Sequence, residues 1–527
     1  MSTPRTSRAR RPVAPPAAAW LILLVVGAAR AQPPGTPGEM PVPSTPKNTT
    51  KKADLANRYR LAERYARDDE REAPGTIGAY RMGVVEVVKE SIDTPQGAPR
   101  RSETTRQSIF TERGVEQVGS GIVSGAVLQF ERFRVRPEDR ARTMGPKPLD
   151  GLTVYYRPKV GDLPLVLSQT PNRKLTDYEY EVVSRQVFAP HMAAILPPQA
   201  VRIGESWRIP RRGAQAMLGE PGLQGDTLIG KFAELRKEVD GPRFVAVITI
   251  SGRLTAPSGE TAVNAEAFFT YGADDPATRP AAPAPGPTLG RPVAELIEAR
   301  GAITELRLAR STGGPLPGPG RLRYQVTREL TVQRQVGLSA NLLPTPKFEG
   351  PPTATDPGAW LTLVDPSGRF TLDHPQDLLP PERALLAPAS PGEAVLGRQR
   401  REGADLIRVA FHPKALAPEA LKERLAAEYG KTKMEIVKGA EEWLPEADWP
   451  RMKVYRIEAA VKVPERNPGA ASNPPRVHFD GYLLQPGQAA SFLVLATTSR
   501  DAVAPFRHEV EEILKTLQVD PARPAVE

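Results

Sequence analysis

Three carboxylates spaced two apart, Asp177, Glu179 and Glu181, are the side chains of this chain best placed to do chemistry. Tyr178, Tyr180 and Val182 alternate with them, so a strand here puts all three acids on one face. Like charges that close raise a carboxyl pKa or hold Ca²⁺. Asp177 and Glu179 are then candidates for the acid and base of an envelope-polymer hydrolase. The favoured reading is the wet face of an edge strand, where charge discourages pairing with another sheet. Glu441, Glu442, Glu446 and Asp448 form a second acidic group, bracketed by Trp443 and Trp449. Two indoles so placed could stack on a sugar or grip a partner, although tryptophan more often caps a core.

Other chemistries fail on spacing. Gly225 to Lys231 supplies G-x-x-x-x-G-K, but Phe232 stands where a Mg²⁺-binding hydroxyl is needed. The residues that follow alternate as a strand, whereas a phosphate loop must open a helix. Gly119-Ser120-Gly121 through Ser124-Gly125 has the wrong spacing for a serine-hydrolase elbow. The five histidines, His191, His374, His412, His478 and His508, form no zinc motif. Zero cysteines exclude a disulfide framework, a thiolate metal site and a cysteine nucleophile. No catalytic residue, metal or cofactor is assigned, and the chain leans towards a non-enzyme.

What must position these side chains is a long, proline-rich chain: 527 residues with 58 Pro, 43 Gly and a net charge of +10. Length argues for two or three domains. Residues 1–31 read as an export signal. Arg5, Arg8, Arg10 and Arg11 precede an apolar stretch from Ala17 to Ala29, and Ala29-Arg30-Ala31 supplies a cleavage site. A retained anchor is the alternative, although the stretch is short for a span. Removing five arginines and no acid leaves +5. Scattered charge and few aromatics disfavour nucleic acid as partner. The expected compartment is periplasmic or extracellular, with no transmembrane span after cleavage near Ala31.

The expected fold class is α+β multidomain. Residues 32–51 are a Pro-rich linker, and 52–73 a charged helix with Leu55, Tyr59, Ala62 and Ala66 on one stripe. Residues 75–340 alternate with period two and predict an antiparallel β-rich domain, interrupted by the Pro/Ala-rich loop 274–292. Its cleanest strand, Arg321 to Val336, places Tyr324, Val326 and Leu330 on one face, interrupted by Arg328 and Arg334. Residues 341–358 form a second Pro-rich linker, 359–521 a mixed α/β domain, and 522–527 a tail.

The last domain carries a resemblance. Gly368-Arg369-Phe370-Thr371-Leu372 runs into His374-Pro375. Near the end stand Tyr482-Leu483-Leu484 and Ala490-Ser491-Phe492-Leu493-Val494-Leu495, then a terminal helix and short strand. The order of elements and the F-x-L-x-x-P opening resemble the PsbP-like family, although Leu378 or Leu379 stands where that family has a Trp. The resemblance implies an antiparallel sheet flanked by helices, used for binding or assembly. More faintly, the phrase from Leu196 to Pro210 resembles exported bacterial β-rich domains, and the long strands resemble the half-barrels of lipoprotein carriers such as LolA. The expected function is therefore an exported, non-catalytic envelope protein that binds a protein or apolar ligand. Its expected contacts are Tyr324, Val326, Leu330, Trp443, Trp449 and the 177–181 acids.

Overall fold

The computed structural model describes residues 57–519 apart from several segments, the longest being 64–78, 137–148, 273–295, 337–351, 380–391 and 463–475. The predicted export signal, the first linker, the loop 274–292 and the tail lie outside the described residues. The chain divides into two units with the boundary between Thr362 and Leu363.

In the first unit come β1 (Arg58–Glu63), β2 (Ala79–Asp93), β3 (Arg100–Val118), β4 (Ile122–Arg136), β5 (Thr153–Arg157), β6 (Leu165–Ser168) and β7 (Leu175–Thr176). Helices α1 (Asp177–Ser184) and α2 (Ala189–Met192) follow, then β8 (Ser206–Arg208) and α3 (Arg211–Leu218). Long strands resume as β9 (Ile229–Lys237), β10 (Arg243–Ala256), β11 (Gly259–Gly272), β12 (Leu296–Pro315) and β13 (Arg323–Val336), and β14 (Trp360–Val364) straddles the boundary. All of these strands but β7 and β14, which pair with each other in parallel, form one open sheet in the order β6-β5-β4-β3-β2-β13-β12-β11-β10-β9-β8, with β1 beside β12. Period-two patterning drives this. On β13, Val332 and Arg334 are buried while Gln325, Glu329 and Gln333 are exposed. Register shifts at Ile109/Phe110, Val247/Ile248 and Phe268/Phe269 mark bulges, which bend and twist long strands.

Tyr180, Val182, Val183, Met192, Met217 and Leu218 are buried on the helices. Each such side chain contributes roughly 1.5–3 kcal/mol of transfer free energy. α3 ends at Gly219 with φ 60°, and a Cβ there would lie 2.2 Å from the Arg185 carbonyl oxygen. Only glycine lets α3 close against the turn after α1.

Two expectations are corrected. The charged helix over 52–73 is, where described, the strand β1. Tyr59 and Leu61 are buried and Arg58 and Arg60 exposed, because Arg58 to Leu61 also alternates and β12 offers a parallel partner. The strand expected to carry Asp177, Glu179 and Glu181 is the helix α1. Nor is the described part of the second linker a free connector. The Pro352 carbonyl accepts a hydrogen bond from Arg157, and Ala359, the residue just after the linker, packs with Tyr155, Leu165 and Leu167.

The second unit holds β15 (Phe370–Pro375), β16 (Glu393–Arg400), β17 (Gly403–His412), α4 (Pro418–Tyr429), β18 (Met434–Trp443), β19 (Lys453–Lys462), β20 (Arg476–Gln485), β21 (Ser491–Thr498), α5 (Val503–Lys515) and β22 (Gln518–Val519). Six strands make an antiparallel sheet ordered β16-β17-β21-β20-β19-β18, and β15 pairs with β22. On one face Leu421 and Leu425 of α4 cluster with Tyr455, Ile457, Phe479, Leu483, Leu493 and Leu495. On the other, Arg507 of α5 ion-pairs with Asp480, and Arg456 with Glu511. This is the expected antiparallel sheet flanked by helices.

Candidate functional site

The acids at 177–181 start a helix. Thr176 is its N-cap: its hydroxyl accepts from the Glu179 amide at 3.2 Å, and Glu179 Oε2 accepts from the Thr176 amide at 2.9 Å. This capping box satisfies two of the donors that every helix start leaves open. Asp177 sits in the first turn, where negative charge meets the positive end of the helix dipole. Glu179 is 2% exposed and ion-pairs with Arg173. Burial pushes its pKa above the ordinary carboxylate range despite those partners. Glu179→Ala is expected to cost about 2 kcal/mol, a lost cap plus lost charge-assisted hydrogen bonds less the relief of a buried charge. Glu179→Gln keeps the acceptor and should lose less, as chemical denaturation would read.

Glu181 points into the inner face of the sheet, where charges gather in a row. Its Oε1 lies 3.8 Å from Arg106 and 3.5 Å from Arg185. Burial opposes its ionisation, but Arg185, Arg106 and Arg328 outweigh that and hold its pKa low. Arg106 stands directly opposite Glu86 across β2 and β3, donating to it at 3.3 Å, and lies 5.7 Å from the Tyr178 ring centroid. Arg310 of β12 donates to the Leu218 carbonyl at 3.2 Å and to Glu220 at 2.7 Å. Arg328 of β13 meets Glu86 at 3.7 Å. A cavity of about 20 Å³ is lined by Glu86, Arg106, Ser108, Arg185, Gln186 and Leu330 among others. That is room for about one water.

Tyr324, Val326 and Leu330 do share a face of β13, and each is half-buried. Arg328 stands among them on that face, so the surface expected to be apolar is divided by charge. Arg106, Arg185, Arg310, Glu86 and Glu220 were not singled out in the sequence. Arg328 and Arg334, interrupting an apolar face, were the visible sign. Among the described residues no group of three or more His, Asp or Glu side chains is arranged to hold a metal.

In the second unit the two tryptophans part company. Trp449 is buried at 4%, with Lys515 Nζ 5.8 Å from its ring. Trp443 is 49% exposed at the end of β18, its ring 5.3 Å from that of Tyr455. Beside it Glu441 accepts from Lys422 and from the Tyr455 hydroxyl, which hold its pKa below the ordinary range. Trp443→Ala is expected to change stability by no more than about 0.5 kcal/mol, as for other surface positions. Loss of binding without loss of stability would make Trp443 a contact residue.

No family model matches the chain. No curated protein does either. Among solved structures the chain is similar to cyanobacterial PsbP from Synechocystis, at 13% identity over 33% of this chain and 99% of that one, with a TM-score of 0.24. It is similar to lipovitellin at 10% identity over 51% of this chain and 26% of that one, with a TM-score of 0.24. A LolA superfamily protein from Nitrosomonas europaea shares 8% identity over 50% of this chain and 90% of that one, with a TM-score of 0.12. The resemblance is distant and partial. Among the described residues no helix is long and apolar enough to cross a membrane.

Proposed function

We propose that the chain is an exported protein of the bacterial cell envelope that binds a ligand or protein partner and does not catalyse. The observation that supports this best is the use made of its acids. Glu179 is spent on a helix cap and on Arg173, and Glu181 lies between Arg106 and Arg185. Polymer hydrolysis by paired carboxylates needs one protonated and one ionised group flanking an open cleft. Acids locked in caps and guanidinium pairs beneath packed helices suit that poorly. Binding surface remains on the inner face around Tyr324 and Val326, and at the exposed ring of Trp443. The arginine-rich start, apolar stretch and Ala29-Arg30-Ala31 motif support export. The test is a thermal-shift screen of the purified protein against envelope lipids and glycans. A saturable shift with one class is expected, and turnover of any envelope polymer would overturn the reading.

A further inference from the structure

The charged row on the inner face does not balance. Across the middle of the sheet Arg310 and Arg328 stand directly opposite each other on β12 and β13. Like charges in that position destabilise a strand pair unless something intervenes. Arg310 is well served, by Glu220 and the Leu218 carbonyl. Arg328 is not: its Nη1 is buried without a hydrogen-bond partner, and Glu86 approaches only to 3.7 Å, beyond hydrogen-bond range. Glu86 already accepts from Arg106, whose Nε is likewise buried without a partner. Among the described residues of this cluster, four guanidiniums (Arg106, Arg185, Arg310 and Arg328) share three carboxylates (Glu86, Glu181 and Glu220). Side-chain exposures run from 7% at Arg310 to 25% at Glu181, so a surplus positive charge sits in a largely dehydrated place. Such a charge is costly unless paired.

We propose that Arg328 anchors a site for one monovalent anion on the inner face of the first unit, completing the charge balance of this cluster. Burial and the neighbouring cations Arg185 and Arg310 push the Arg328 pKa down to about 9, the direction that crowding by like charge demands. The negative charge has two possible sources of the same chemistry. One is a free halide-sized ion. The other is the acidic head of an amphiphile whose tail lies along Val326 and Tyr324, which continue the same face of β13. The second source rests on the ligand-binding reading above; the first does not.

Melting of the unaltered chain separates them. It is followed in sodium gluconate, in chloride or bromide at equal ionic strength, and in gluconate with dodecanoate below its micelle concentration. A saturable rise in melting temperature is expected in at least one of the last two conditions, and Arg328→Gln should abolish it. A halide effect alone keeps the site and removes its tie to an apolar ligand. A dodecanoate effect alone assigns the charge to a head group. Equal melting in every condition, or a shift that survives in Arg328→Gln, overturns the site. Should that variant not fold, bromide- and dodecanoate-soaked crystals of the unaltered chain read the same question. Anomalous or carboxylate density against the Arg328 guanidinium supports the site, and neither overturns it.

Discussion

Replacing Arg398 with methionine is expected to destabilise the second unit by ~3–5 kcal/mol, the usual cost of stranding one partner of a buried ion pair. Asp405 on β17 is fully buried. Its Oδ2 accepts from Arg398 Nε at 3.0 Å and Nη2 at 2.8 Å, and its Oδ1 accepts from the Thr498 hydroxyl at 2.7 Å. The same guanidinium donates to Glu509 of α5 at 2.6 and 3.1 Å, and to Asp377 at 3.0 Å. One side chain therefore ties β16 to β17, to the terminal helix and to the turn after β15. Burial alone would lower its pKa; the bonds to Glu509 and Asp405 reverse that and raise it. Without Arg398, Asp405 keeps only Thr498 among these partners. Adding Asp405→Leu should recover much of the loss, since buried pairs are often replaceable by apolar residues of similar volume. Denaturant unfolding of the full chain, with separate probes for each unit because two units need not unfold together, is the measurement. A single-variant loss below about 1 kcal/mol would mean that water reaches Asp405.

Much of the fold is legible in the chain because strands and helices advertise different periods. β13 can be read residue by residue, and in α4 the i, i+4 pair Leu421 and Leu425 marks the buried side. The sequence is ambiguous where two periods fit the same residues. Arg58 to Ala62 satisfies both a helical stripe and a strand alternation, and the deciding fact, the partner stretch Leu296 to Gly301 at the start of β12, lies over two hundred residues away. At Asp177 to Ser184 the alternation of acids and tyrosines outweighed a local signal that was present. Thr176-Asp177-Tyr178-Glu179 matches the capping-box pattern, and in the folded chain that pattern decides.

The candidate site was less legible, for a physical reason. A charged residue on a mostly apolar strand face reads as an interruption, and nothing local says what compensates it. Arg310, Arg328 and Glu86 meet only through strand register, and Glu181 and Glu220 reach them only because α1 and α3 lie over that register. Trp443 and Trp449 show the same limit at short range. They are six positions apart, Trp443 closing β18 and Trp449 in the acidic turn after it, yet one is buried and the other is not, because Trp449 turns inward beneath α5.

Acid should loosen the first unit through His191, by about 1.4 kcal/mol for each pH unit below the ordinary histidine value. The ring is 8% exposed, its Nε2 lies 3.1 Å from the Val123 carbonyl oxygen, and Phe188 packs edge-on with centroids 4.6 Å apart. Tyr156, Lys159 and Arg212 also line this place. Burial first, then the Arg212 charge, push the His191 pKa from 6.5 down to about 3, against the pull of the Val123 carbonyl. The folded chain then keeps the imidazole neutral over a range in which the unfolded chain protonates it. Because the unfolded state binds the extra proton, stability falls as pH falls. The contribution is complete above the unfolded value and is lost progressively between pH 6.5 and about 3. By about pH 4.5 the loss from this one group is about 3 kcal/mol. His191→Gln retains an amide donor for the Val123 carbonyl and cannot titrate. Its unfolding free energy should therefore change less between neutral and acid pH, by about that amount. Parallel pH profiles for the two proteins would mean that the imidazole opens to solvent before it charges. A flatter profile in the variant would identify α2, which carries His191 against β4, as the part of the first unit that acid strains through this ring.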